Sequence, residues 1–260
     1  MSKEHLTYLK KIKHERHLVI FFQVFLLILF LSLWELLSYY KIINPFIFSS
    51  PSKVILTIKN LAINYHLFHH IYTTIYETLI AFILGIFLSF IIAILLYEFK
   101  ILNKIIDPYL TMLNSLPKVA LGPLIIIIAG ANTKSIIIMA LCINLIVGIF
   151  SIYNGFNNID PDLIKLFKTF KANKLDILLK LTIPASYKTI ISSLKLNISM
   201  TLIGVIMGEF LVSQSGLGYL IIYGTQVFNL NIVMSGIILL IIISFILYKF
   251  VTYLEKLLIK

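Results

Sequence analysis

TTIYETLIAFILGIFLSFIIAILLY, residues 73–97, is the stretch on which the fold turns. A helix needs roughly 20 predominantly apolar residues to cross the hydrocarbon core of a bilayer, and this run exceeds that length. Runs of the same character lie upstream at Leu18–Tyr39 and downstream at Ile105–Ala129, Ser135–Phe156, Ser186–Val212 and Asn231–Leu254. The expectation is an all-α, polytopic transmembrane bundle of about six spans. Pro117 and Pro123 interrupt the third run and would kink or split it, so two shorter helices meeting there are an equal alternative.

Composition agrees. Hydrophobic residues make up 60% of the 260-residue chain and charged residues only 13%, and the mean hydropathy is +1.00. That is more apolar surface than a soluble globule buries, so lipid must supply the solvent. The segment Met1–His17 is basic and precedes an apolar run, as in a signal peptide. The run is long enough to span, however, and no small-x-small cleavage site follows Tyr39 and Tyr40. The expected division is an N-terminal tail over 1–17 and one membrane domain over 18–260. Cys142 lies inside an apolar run with no disulfide partner and reads as a small core residue.

The formal charge of +11 would point to nucleic acid in a soluble protein, but here the lysines fall between apolar runs. The tail carries five Lys or Arg, the Glu98–Lys104 loop two, the Asn157–Lys188 loop six and the stretch from Lys249 three. The alternate loops carry Lys41, Lys53, Lys59 and Lys134, and Ser213–Leu230 carries none. By the positive-inside rule both termini and the Asn157–Lys188 loop are cytoplasmic, in a multi-pass cell-membrane protein that contacts lipid and not nucleic acid.

The longest inner loop, NNIDPDLIKLFKTFKANKLDILLKLTIP (157–184), is itself helix-forming. Asp160 is a good N-cap, Pro161 suits the first helical position and Asp162 complements the helix dipole. Leu163, Leu166, Phe167 and Phe170 fall at i, i+3, i+4 and i+7 and make one apolar stripe, with Lys165 and Lys168 off it. The stripe needs either the membrane interface or a groove on a partner protein.

Several segments, taken in order, resemble the permease subunits of ABC importers, specifically the nitrate, sulfonate and taurine group. Ile106-Asp107-Pro108 with Leu116-Pro117-Lys118-Val119-Ala120-Leu121-Gly122-Pro123-Leu124 resembles the family's third-span pattern. Asp160-Pro161-Asp162-Leu163-Ile164 resembles the entry into its coupling segment. Gly208-Glu209-Phe210 and Gly216-Leu217-Gly218-Tyr219-Leu220 resemble the ending before its last span. Aligned on Leu181-Thr182-Ile183-Pro184, the family's Glu-Ala-Ala falls on Lys165, Leu166 and Phe167, and its Gly falls on Lys171.

The resemblance implies a type I ABC importer permease that binds no cofactor itself, with ATP and Mg on a separate ATP-binding subunit. It further implies a second permease subunit, a copy of the same chain, and an extracellular solute-binding protein. The coupling role falls on Asp160, Leu163, Lys165, Leu166, Phe167, Phe170, Lys171 and Pro184. The implied substrate is a small solute, a nitrate-, sulfonate- or taurine-like anion or a pyrimidine. The departures carry consequences: Lys165 reverses a charge, and Lys171 would be strained by roughly 1 kcal/mol in the left-handed turn that Gly permits. The helix break is therefore expected to move to Asn173.

Within the spans, Glu209 either serves function or hydrogen-bonds neighbouring backbone near the outer helix end. Asn114, Ser115, Asn144, Asn197 and Ser199 either line a translocation path or join helices. Lys118 attracts an anion or snorkels to the interface. Pro117, Pro123, Gly216 and Gly218 read as structural. His66, His69 and His70 share a helical spacing, but no Cys or carboxylate completes a metal set, so an interfacial polar cluster is preferred to a metal site. Trp34 reads as a core or lipid-facing anchor. No phosphate-binding loop and no hydrolase or zinc motif occurs, so ATP hydrolysis belongs to another chain and this one is not an enzyme. The rival readings are a secondary transporter and a non-transporting membrane scaffold, but no internal repeat supports the first.

Overall fold

The computed structural model describes residues 3–259, with side chains from residue 12 onward, so the basic side chains of the expected tail up to Lys11 lie outside the described residues. The helices are α1 (Lys3–Tyr39), α2 (Pro45–Phe48), α3 (Pro51–Asn64), α4 (Leu67–Glu98), α5 (Lys100–Ser115), α6 (Gly122–Ala129) and α7 (Thr133–Asn157). There follow α8 (Pro161–Thr169), α9 (Lys174–Ile177), α10 (Ile183–Val212), α11 (Leu217–Gln226) and α12 (Leu230–Leu258). A 3₁₀ turn, Lys118–Leu121, leads into α6, and a π turn, Leu178–Thr182, joins α9 to α10. No strand occurs among the described residues.

Among the described residues, five segments are long and apolar enough to cross a membrane: Ile12–Tyr39, Leu67–Glu98, Thr133–Asn157, Lys174–Val212 and Leu230–Leu258. The third expected span takes the split form: α5 and the segment Lys118–Ala129 meet at 93°. Leu116, forced out of the helical region by the proline after it, is extended at φ −67°, ψ 139°, and Pro117 continues extended. Pro123 sits in the first turn of α6, where its missing N–H costs nothing. Three helices lie where loops were expected. Two of them begin on their own caps: Asn44 accepts from Phe46 N–H ahead of α2, and Ser50 accepts from Lys53 N–H ahead of α3.

The chain divides into two compact units, residues 1–65 with 224–235, and residues 66–223 with 236–260. In the first, Ser52 donates through its backbone N–H and its hydroxyl to the two oxygens of Glu35 (3.0 and 2.8 Å). Trp34 Nε1 donates to Phe48 O (3.2 Å), which makes this side chain a clasp between α1 and α2. Ser49 donates to Asn231 Oδ1 (2.7 Å).

In the second unit α7 packs between α4 and α10. Ala81, Ile136, Ala140 and Val205 form a buried cluster, and Ala93, Ile152 and Phe156 form another, with Tyr97 edge-on to Phe156. Lipid tails are as apolar as the side chains, so helices associate in a membrane through close backbone approach at small residues. Gly204 shows this: a Cβ there would lie 2.5 Å from Ala140 Cα. Lys195 of α10 pairs with Glu255 of α12 (2.9 Å).

Candidate functional site

The Asn157–Pro184 segment folds as two short helices. Asp160 caps α8, its Oδ1 accepting from Asp162 N–H (2.9 Å), with Pro161 at the first position as expected. The four-residue stripe is corrected: it divides. Phe167 turns inward with Ile164 and Ala172 against Ile159, Ile177 and Leu181. Leu163 (41% exposed), Leu166 (48%) and Phe170 (76%) remain uncovered. A helix turns about 100° per residue, so Ile164 draws its i+3 neighbour Phe167 to the protein side and leaves residues 163, 166 and 170 on the adjoining face. Lys165 points to solvent, donating to Asp162 Oδ1 (2.8 Å).

The expected break at Asn173 is corrected as well. Lys171 itself takes the left-handed conformation, φ 58°. Its N–H donates to Lys168 O (2.9 Å), and Ala172 N–H donates to Phe167 O (3.1 Å). These two bonds are the Schellman pattern, which catches the last carbonyls of α8 only when the residue after the cap turns left-handed. Asn173 is extended and caps α9: it accepts from Asp176 N–H (2.7 Å), while Asp176 accepts from Asn173 N–H (3.3 Å). Asn173 serves the next helix and is not free to end the previous one. Pro184 lies exposed in the first turn of α10.

The intramembrane candidates fall into three places. Asn144, fully buried on α7, donates to Ala81 O of α4 (3.1 Å) and to Thr201 Oγ1 of α10 (2.6 Å), tying three helices at one level. Asn197 is buried one turn from Thr201 and donates to Ser193 O (3.2 Å). Ser199 donates within its own helix to Lys195 O (3.2 Å). By contrast Asn114, Ser115 and Lys118 lie together at the bend after α5. Lys118 Nζ donates to Asn114 O (2.9 Å), and Asn114 and Ser115 are exposed.

Glu209 is the third place. Its Oε1 accepts from Thr74 Oγ1 (2.6 Å) and its Oε2 from Gly218 N–H (2.6 Å). Gly216, at φ 111°, packs against the same carboxylate, and its N–H donates to His70 Nδ1 (3.0 Å). His70 also stacks on Tyr219, so this histidine serves the turn before α11. Sequence reasoning missed Thr74, Thr201 and above all Glu77, which is buried on α4 beside Glu209. The available signal was the line Thr74, Thr78, Ala81, Gly85, Ser89 and Ala93, small residues at helical spacing on α4, all of them buried.

The family model described as "Binding-protein-dependent transport system inner membrane component" matches residues 81–260. The chain is 26% identical over 230 residues to the "Putative aliphatic sulfonates transport permease protein SsuC" of Bacillus subtilis, covering 88% of this chain and 83% of that protein. It is 30% identical over 156 residues to a "Probable ABC transporter permease protein" of Haemophilus influenzae, covering 60% of this chain and 64% of that one. Among solved structures, an inward-facing form of the MetNI methionine ABC transporter superposes with a TM-score of 0.68 at 16% identity, over 76% of this chain and 98% of that chain. That likeness is one of fold: an all-α type I ABC importer permease.

Proposed function

The chain belongs to the binding-protein-dependent transport system inner membrane component family, and on that premise we propose that it is the permease of an importer that takes up a small sulfonate-like anion. The observation that carries the mechanism is the uncovered face of α8. Leu163, Leu166 and Phe170 stand on a helix fixed at both ends, by the Asp160 cap and by the left-handed Lys171. An apolar face held this rigidly fits a groove on a partner, here the ATP-binding subunit, which carries the nucleotide and Mg. Length supports a protein partner over lipid. The continuous segment Lys174–Val212 has 39 residues, which at 1.5 Å each come to about 58 Å, beyond the ~40–45 Å of a bilayer with its headgroups.

In this reading α8 and both chain ends lie in the cytoplasm, and two copies of the chain line the path. The polar bend at Asn114, Ser115 and Lys118 faces that path, since these side chains are not enclosed by their own bundle. Lys118 supplies the charge that suits an anion. ATP-driven closure of two ATPases displaces the paired α8 helices and reorients the spans, so the permease transmits motion and performs no chemistry. An extracellular binding protein delivers the substrate. The sulfonate class is supported by the SsuC likeness, with a pyrimidine-type solute as the alternative.

Reconstitution of the chain with an ATPase subunit and a binding protein from the same organism tests this. A stoichiometric complex with ATP-dependent uptake of an alkanesulfonate is the expected result. Failure of any nucleotide-binding subunit to co-purify from membranes would refute the importer reading, and uptake of a pyrimidine instead would correct only the substrate.

A further inference from the structure

Glu77 is an ionisable side chain that neither the coupling face nor the helix packing uses. It is 1% exposed on α4, and neither carboxylate oxygen has a hydrogen-bond partner. The polar groups that face it are the carboxylate of Glu209 on α10 and the side chain of Thr133 at the start of α7. Glu209 is in the opposite condition. It is also 1% exposed, but its two oxygens accept from Thr74 and from Gly218. No Lys, Arg or His forms an ion pair with either carboxylate among the described residues.

The other titratable side chains on the packed elements do not fill the gap. His70 of α4 is engaged by Gly216 N–H through Nδ1, Tyr219 of α11 stacks on that imidazole, and Lys134 of α7 is exposed. Two facing carboxylates in an apolar bundle with no counter-charge are not a stable arrangement. One positive charge between them relieves the repulsion and leaves a single net negative charge, which the donors on Glu209 stabilise.

We propose that Glu77 and Glu209 form a buried site for one small monovalent cation, a proton or sodium, held between the two carboxylates with the Thr133 hydroxyl as a further oxygen. The donor set is all oxygen, which suits a hard cation and excludes a soft metal. Glu209 also anchors Thr74 and the Gly216–Gly218 turn, so occupancy of the site governs how closely α4, α10 and the start of α11 pack.

The test uses the full chain in lipid nanodiscs, with infrared spectra recorded across pH and thermal unfolding recorded in sodium chloride against choline chloride. A carbonyl-stretch band of a protonated carboxylic acid identifies the proton, and a rise in Tm specific to sodium identifies the metal ion. Glu77→Gln keeps the shape and removes the charge, and whichever signal the wild type shows is expected to be lost in it. The proposal is overturned if the wild type shows neither signal, or if Glu77→Gln retains the wild-type one. The wild-type measurement decides by itself should the variant fail to fold.

Discussion

Gly216 holds a conformation that no side chain adopts cheaply: φ is 111°, and a Cβ there would run into the carboxylate of Glu209. Gly216→Ala is expected to destabilise the protein by about 1–3 kcal/mol, from backbone strain and displacement of the carboxylate together. Thermal unfolding in detergent, followed by far-UV circular dichroism, reads this as a lower Tm; an unchanged Tm would show that the turn relaxes freely. At this scale the sequence was half legible. Glu209 stands out as a lone charge in an apolar run, and both glycines beside it announce a turn. Glu77 also sits in an apolar run, but a single charge barely moves a hydropathy average taken over some twenty residues. Nothing in the spacing of residues 77 and 209 reveals that they face each other.

α8 and α9 form the element on which the proposed coupling rests, and their junction is strained at Lys171. A non-glycine residue in the left-handed region costs roughly 1–2 kcal/mol, so Lys171→Gly is expected to raise stability by about 1 kcal/mol. Asn173→Ala removes the cap of α9 and is expected to cost about 1 kcal/mol. Opposite shifts in Tm check the pair, and a gain from Asn173→Gly in place of Lys171→Gly would return the break to Asn173. The uncovered face gives a separate prediction. Leu166→Asp together with Phe170→Asp leaves the permease Tm unchanged, because both side chains are exposed, but abolishes co-purification of the ATPase subunit. Retained association would remove α8 from the docking surface. The cap at Asp160 and the start at Pro161 were legible, because capping is a local property. The division of the stripe was not, since spacing defines a direction around a helix while the width of the buried sector depends on Ile159, Ile177 and Leu181 outside it.

On the scale of the molecule, α4, α7 and α10 are held by small residues and by Asn144. Gly204→Val is expected to force α7 and α10 apart at Ala140 and to cost at least the ~1–3 kcal/mol typical of overpacking, with reduced yield of folded protein from membranes. A wild-type Tm would show that the crossing is looser than the geometry indicates. The spans were the most legible feature, because crossing a bilayer imposes a length that composition alone reveals. The 93° bend was open in the sequence, since Pro117 permits either a kink or a break and the choice rests on what packs around it.

The π turn at Leu178–Thr182 has a mechanical consequence. α9, this turn and α10 run without interruption from Lys174 to Val212, a single shaft with the α8 junction at one end and Glu209 near the other. A π turn replaces the i→i+4 bonds of the α-helix on either side of it by i→i+5 bonds, and such turns inside helices are frequent at functional sites. Any rotation that the proposed coupling imposes at the junction has to pass through this turn before it reaches the carboxylate pair.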